Sequence, residues 1–274
     1  MRSQVPFRQV GGEQWLIVVE ARIQGSEPMD CAVDTGASHC VLLPEVAARL
    51  GVRADEKRQA AGAGGALEVR IGSADTVQLG DLVARDVPLI VTDELRRIGA
   101  AIGIPLGGNL GHSFFGRYRM TVDYAAGTLE LASEDEPEDA RPSRAELEFQ
   151  LAHPSKPLIM IPVRLGERPA RFALDTGASI TVIAPEVAAR CGIETTPSSN
   201  LTGGGGVAVK AAAGVIPELS IGDVKLSKVR VAAAEFLGML SRAIGTPIDG
   251  ILGSNVLRRF RLTIDYPKRR VRLA

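Results

Sequence analysis

Aromatic side chains are scarce: one Trp, three Tyr and seven Phe in 274 residues. A core must therefore be assembled from Val, Ile, Leu and Ala. Cysteine is scarcer, with only Cys31, Cys40 and Cys191. A small odd number excludes a disulfide framework, and the three read as reduced side chains, a weak sign of a reducing compartment. Charge of one sign is also lacking, with 32 Lys and Arg against 32 Asp and Glu. Nothing in that balance would draw nucleic acid or an anionic membrane. No apolar run reaches the length of a membrane span. Met1–Val10 carries Arg2, Gln4, Arg8 and Gln9 and has no apolar run, so it does not read as a signal peptide. The expectation is a cytoplasmic protein, with the periplasm as the alternative if a leader has been removed.

Glycine is abundant, at 30 residues, which suits a β-rich chain with many turns. The hydrophobic fraction of 45% and the charged fraction of 23% are ordinary for a globular protein. The length fits one large domain or two ordinary ones. An internal repeat decides between them. The pentapeptide DTGAS stands at Asp34–Ser38 and again at Asp175–Ser179, and PEVAAR at Pro44–Arg49 and Pro185–Arg190, both at an offset of 141. LGD at Leu79–Asp81 then matches IGD at Ile221–Asp223, NLG at Asn109–Gly111 matches ILG at Ile251–Gly253, and VDY at Val122–Tyr124 matches IDY at Ile264–Tyr266. The offset of these three is 142, so one residue has been gained on the way. Five matches in one order mark a duplication. Between the copies Ala132–Glu146 is acidic, contains Pro and lacks large apolar residues, which reads as a linker. The expected division is a domain over 1–133, an acidic linker over 134–146 and a second domain over 147–274.

Each copy reads as mostly strand. Trp15–Ala21 and Leu158–Leu165 are apolar and partly β-branched; Cys31–Val33 and Phe172–Leu174 lead into DTGAS; His39–Leu43 and Ile180–Ile183 lead out. The PEVAAR segments read as short helices, with Pro in the first turn and Gly51 or Gly192 as the stop. Leu82–Val91 and Val224–Ala232 predict further strands, and Arg119–Asp123 and Arg261–Asp265 predict strands closed by tight turns. A second short helix is predicted after Gly111 and after Gly253.

An Asp between two apolar strands is an odd place for charge. A carboxylate buried there needs donors. Thr35, Gly36 and Ser38 can supply hydroxyl and backbone N–H groups, and Gly36 permits close approach of another backbone. A single DTG is a weak signal. A pentapeptide flanked by apolar strands, present twice with the same downstream elements, is a strong one.

With these motifs the chain resembles the pepsin and retropepsin superfamily of aspartic peptidases, in particular bacterial retropepsin-like proteins with two copies fused. The resemblance runs from about Gln14 to Leu131 and from about Pro157 to Leu273. It implies a mainly β fold: two tandem β-barrel domains related by pseudo-two-fold symmetry, with short helices. It implies a DTG loop that crosses behind a segment of two apolar residues and Gly. Ile251–Gly253 fits that pattern, and Asn109–Gly111 departs from it because Asn109 is polar. The resemblance further implies that Asp34 and Asp175 form the catalytic pair, that Thr35 and Thr176 tie the two loops together, and that Gly36 and Gly177, with Ser38 and Ser179 beside them, support the carboxylates. Two carboxylates that close share one proton. One would take a proton from water while the other donates to the amide carbonyl, with no cofactor or metal. Ala37 and Ala178 follow DTG where pepsin-like motifs often carry a hydroxyl, which predicts a working pH from mildly acidic to neutral.

The Gly-rich stretches Ala60–Val69 and Leu201–Lys210 occupy equivalent places. In the family this place is the flap over the cleft, which assigns substrate contact to Gly62, Ala63, Gly64 and Gly65 and to Gly203, Gly204, Gly205 and Gly206. An ordinary Gly-rich turn is the alternative; a phosphate loop is disfavoured because no GK[ST] follows. His39, His112 and His153 share no metal-ligand spacing. Ser38 and Ser179 have no G-x-S-x-G context for a nucleophile. Arg258–Arg261 and Lys268–Arg272 read as the outer face of terminal strands. The expected function is an aspartic endopeptidase acting on peptides or proteins, with a catalytically silent peptide-binding protein as the alternative. The expected assembly is a monomer that contains its own pseudo-dimer, with a homodimer as the alternative.

Overall fold

A computed structural model describes residues 1–12, 15–62, 65–197, 201–202 and 208–274. The first copy runs β1 (Arg2–Pro6), β2 (Arg8–Val10), β3 (Leu16–Ile23), β4 (Met29–Val33), β5 (Cys40–Leu42), α1 (Pro44–Arg49), β6 (Glu56–Gly62), β7 (Gly65–Leu79), β8 (Leu82–Val91), α2 (Glu94–Ile102), β9 (Gly108–Leu110), α3 (His112–Phe115), β10 (Arg119–Asp123) and β11 (Thr128–Ala132). The second runs β12 (Ala145–Glu148), β13 (Gln150–His153), β14 (Lys156–Leu165), β15 (Arg168–Leu174), β16 (Thr181–Ile183), α4 (Pro185–Arg190), β17 (Thr195–Pro197), β18 (Leu201–Thr202), β19 (Ala208–Val209), β20 (Ala212–Ile221), β21 (Val224–Ala233), α5 (Phe236–Ile244), β22 (Gly250–Leu252), α6 (Ser254–Leu257), β23 (Arg261–Asp265) and β24 (Arg270–Leu273). The protein is mainly β, and its helices are short.

In each copy six strands close on themselves. The first ring passes β3, β4, β9, β5, β8 and β7 and returns to β3 through Arg22–Gln78 and Ile23–Val77. The second passes β14, β15, β22, β16, β21 and β20 and returns through Arg164–Ser220 and Leu165–Leu219. Closure removes the free edges that an open sheet would leave unpaired. The strands are apolar enough to fill the rings: Ile17, Val33, Leu42 and Leu89 in the first, and Ile159, Leu174, Ile183 and Val229 in the second, are fully buried. Burying such a side chain contributes about 2 kcal/mol.

The PEVAAR helices α1 and α4 form as the sequence suggests. Pro sits at the first turn, Val46 and Ala47 or Val187 and Ala188 face inward, and Gly51 or Gly192 follows at φ +66° or +63°, where a side chain would be strained. The helices α2 and α5 have no counterpart in the sequence reading. Each is nine residues long with an internal Gly, Gly99 or Gly238, and each stops at a Gly with positive φ, Gly103 or Gly245. The Gly lowers helix propensity, which dilutes so short a pattern.

The two copies share one six-stranded antiparallel sheet, ordered β1, β11, β10, β23, β24, β12. Its centre is the β10–β23 pair, where Thr121 faces Thr263 and their hydroxyls lie 3.0 Å apart. Equivalent residues meet there, so this pair marks the pseudo-two-fold axis. Ala132 ends β11, and Ala145 and Glu146 open β12, so the acidic connection between strands covers 133–144. It lies against the outer face of the shared sheet. Arg119 donates to the carbonyls of Glu136 and Pro137 at 3.1 and 2.8 Å, Lys268 pairs with Glu138 at 2.6 Å, and Arg261 pairs with Asp139 and, at 3.2 Å, with Asp123. The basic stretches of the terminal strands thus meet an acidic segment of the same chain.

Candidate active site between the two copies

The DTG loops follow β4 and β15, and the ring topology fixes them from behind. Strand β9 runs parallel to β4 and antiparallel to β5, so the chain from β4 to β5 must cross it. The crossing is bonded: Asp34 N–H donates to Leu110 O at 3.0 Å, His112 N–H to Ala37 O at 2.9 Å, and Ser113 N–H to Ser38 O at 3.1 Å. The second copy repeats it with Asp175 N–H to Leu252 O (3.1 Å), Ser254 N–H to Ala178 O (2.7 Å) and Asn255 N–H to Ser179 O (3.2 Å). Ser38 and Ser179 thus anchor the short helices α3 and α6 through their carbonyls. Gly111 and Gly253 are needed at the crossing. A Cβ on Gly111 would stand 2.5 Å from His39 O, and one on Gly253 would stand 2.5 Å from Ile180 O.

Thr35 and Thr176 lock the loops to each other. Each is buried, at 1% and 0% exposure. Thr35 N–H donates to Thr176 Oγ1 at 3.1 Å and Thr176 N–H to Thr35 Oγ1 at 3.0 Å. The hydroxyls then donate onward across the axis, Thr35 to Leu174 O at 3.1 Å and Thr176 to Val33 O at 2.9 Å. Four bonds run reciprocally, so neither loop can move without the other.

That lock brings the carboxyls of Asp34 and Asp175 together. Each lies against the glycine of the opposite loop. A Cβ on Gly36 would be 2.5 Å from Asp175 Oδ2, and one on Gly177 would be 2.7 Å from Asp34 Cγ. Glycine at both positions is thus a packing requirement. Donors differ between the two acids. Asp34 Oδ1 accepts from Gly36 N–H (2.8 Å) and Ala37 N–H (3.0 Å), and Asp34 Oδ2 accepts from Asn109 Nδ2 (3.2 Å). Asp175 Oδ1 accepts from Gly177 N–H at 2.8 Å. Burial, followed by the negative charge of Asp34, pushes the Asp175 carboxyl up to about 8.

Asn109 is the polar departure visible in the sequence, and its partner is the aspartate 75 residues earlier. Other groups surround the pair. Tyr124 and Tyr266, equivalent residues of the two copies, are buried; the Tyr266 hydroxyl has no partner among the described residues, and that of Tyr124 lies near Ser254. Burial pushes both phenols up; at Tyr124 the Ser254 hydroxyl opposes this and the charge of Asp175 adds to it, while both aspartates add at Tyr266. The edge of His112 meets Tyr266 at 5.4 Å between ring centroids. Burial lowers His112 and His39 alike. His153 bonds Ser155 on the surface at 2.8 Å, away from this group.

Of the residues expected in the flap, Gly62 and Gly65 pair at the end of β6 and the start of β7. Ala63, Gly64, Gly203, Gly204, Gly205 and Gly206 lie outside the described residues. In the second copy β18 pairs with β19 through Leu201–Val209 and Thr202–Ala208. Strand β6 of the first copy reaches helix α5 of the second. No helix among the described residues is long and apolar enough to cross a membrane.

A comparison with family models matches the aspartyl protease model twice, over residues 19–114 and 161–256. Each match contains one DTG loop and its crossing strand and reaches into its short helix, and together they cover more than half of the chain. A search of curated proteins finds no match. Two family matches, one in each ring, place the chain in the aspartyl protease family, as a tandem pair of retropepsin-like domains.

Proposed function

We propose that the protein is an aspartic endopeptidase that hydrolyses peptide bonds with a water held between Asp34 and Asp175. The observation that carries this reading is the reciprocal packing of each carboxyl on the other loop's glycine, held by the four threonine bonds. Two acids so close disfavour double ionisation and share one proton. The ionised member takes a proton from the water. The protonated member donates to the carbonyl oxygen of the scissile amide as water attacks, giving a gem-diol. Proton return to the amide nitrogen then breaks the C–N bond. The water acts as nucleophile, so no covalent enzyme intermediate forms.

Substrate is a peptide or protein segment in extended form, lying in the cleft beneath the β6–β7 hairpin and its counterpart in the second copy. Such hairpins can offer backbone groups to an added strand. The dyad is supplied within one chain, so a monomer suffices for activity. The pair works while it holds one proton, and an Asp175 carboxyl held up to about 8 extends that range to neutral pH.

Cleavage of a random peptide library by wild type, Asp34→Asn and Asp175→Asn tests the reading. Wild type should cleave with pepstatin sensitivity, and each variant should lose roughly 10³-fold or more in kcat while keeping its fold. Retained cleavage in either variant would refute the mechanism. Wild type that binds peptides without cleaving them would favour a silent peptide-binding protein. A rate per chain that rises with concentration would favour a homodimer.

A further inference from the structure

The two copies agree in the Asp, Thr and Gly of both loops and disagree in one side chain that bonds an aspartate. Positions 109 and 251 are equivalent: each is the middle residue of a three-residue strand, β9 or β22, in the same register against its neighbours. Both are buried, at 6% and 8% exposure. Ile251 is hydrocarbon. Asn109 sends its amide N–H to Asp34 Oδ2 at 3.2 Å, while its Oδ1 is buried with no partner among the described residues. A buried amide left half-satisfied costs stability, so its presence on an apolar strand calls for a compensating role.

We propose that Asn109 breaks the symmetry of the dyad, holding Asp34 as the ionised partner and leaving the shared proton on Asp175. This rests on the peptidase reading above and assigns the base and the acid within it. Donors to a carboxylate favour its charged form. Asp34 has two backbone donors and the Asn109 amide, whereas Asp175 has one backbone donor, and the position equivalent to Asn109 is Ile251, which has no amide to offer. The other groups around the pair do not supply this asymmetry. Lys156, at the start of β14, favours a charged Asp175, and Glu94 of α2 lies close enough to Asp34 to feel its negative charge, so both oppose it. Tyr124 of the turn after β10 and Tyr266 of the turn after β23 are equivalent uncharged residues; Tyr266 feels the charge of both aspartates and Tyr124 that of Asp175. Burial disfavours the charged form of His39 and His112. Asn109 is therefore a positioning residue, acting through Asp34. It removes a degeneracy that a symmetric pair would have, so a substrate arriving in one direction always meets base and acid in the same order.

The test is a pH profile of kcat/KM together with ¹³C NMR titration of Asp carboxyls, which needs no turnover. Asn109→Ile, which copies the second half, should raise the acid limb by about one pH unit and cut activity about tenfold on that limb. Asn109→Leu should do the same and covers failure of the first variant to fold. Ile251→Asn should lower the titration of Asp175, and the double exchange Asn109→Ile with Ile251→Asn should restore the wild-type limb with the roles of the aspartates reversed in the NMR assignment. An unchanged acid limb and unchanged titrations in the Asn109 variants would overturn the proposal. So would a limb that moves down, since that means the amide oxygen was accepting from a protonated Asp34. Loss of the peptidase reading itself would be seen differently, as cleavage that survives Asp34→Asn or as no cleavage by wild type, while the carboxyl titrations still read the effect of Asn109.

Discussion

Cys31 and Phe172 hold the same place in the two rings, and so do Asn109 and Ile251, yet Thr35 and Thr176 match to the atom in their bonding. The first pair fills the interior with different volumes. Gly108 faces the Cys31 sulfur, and Gly250 faces the Phe172 ring, where a Cβ would come within 2.5 Å. The outer support also keeps its bond while changing its residues: Cys40 N–H donates to Ser113 Oγ at 2.9 Å, and Thr181 N–H donates to Asn255 Oδ1 at 2.8 Å. The copies have diverged wherever a hydrogen bond or a filled volume can be met in two ways. They have not diverged where each loop must fit the other. Identity across the axis marks shared geometry, and difference across it marks places where one need is met by two residue types.

The largest expected effect tests the identical part. Gly36→Ala and Gly177→Ala each push a methyl into the opposite carboxyl, and each should lower kcat by roughly 100-fold or more, because small misplacement of reacting groups is costly. Steady-state kinetics on one peptide should give similar losses for the two. A tenfold disparity would mean that the clamp is less symmetric than its geometry.

A smaller effect should follow from Thr176→Val. It removes the hydroxyl that accepts from Thr35 N–H and donates to Val33 O, leaving two buried backbone groups without partners. The cost should be roughly 3 kcal/mol in urea unfolding. Thr35→Val should cost the same, since its bonds are the mirror image.

The smallest effect sharpens the difference. Burial and the charge of Asp34 push the Asp175 carboxyl up to about 8 in the folded protein, from 3.8 for a free side chain. The folded state therefore binds more protons than the unfolded one in that window, and this contribution to stability is complete below the unfolded value and lost as pH rises through 8. Asp175→Asn removes the penalty. Its melting temperature should match wild type at pH 4 and exceed it by roughly 5 °C at pH 7. Asp34→Asn should gain less, because an amide cannot satisfy all three donors now bound by Asp34. Equal gains in the two variants would deny the asymmetry.

Much of this was legible before any coordinate. The repeat, the strands into and out of DTGAS, and both PEVAAR helices follow from local pattern, because their residues decide their own conformation. Ring closure through β3–β7 and β14–β20 was not, since Arg22–Gln78 or Leu165–Leu219 carries no local signature. Strand β1 was missed for the same reason: Arg2–Pro6 is mostly exposed, and only its partner β11 makes it a strand. Asn109 stands out as a polar residue on an apolar strand, but a contact with an aspartate 75 residues earlier has no local signature. The acidic segment between the copies read as a spacer, and its Arg and Lys partners on the shared sheet were visible only as basic runs.

The shared sheet also sets the order in which the protein can become whole. Strand β10 pairs on one side with β11 as soon as both are made, but its other side waits for β23. Until the ribosome has delivered residues 261–265, the edge holding Thr121 stays open, and no pairing of Asp34 with Asp175 is fixed from below. A nascent first copy can close its own ring early, yet the second aspartate and the strand that seats the two copies together come only with the later part of the chain.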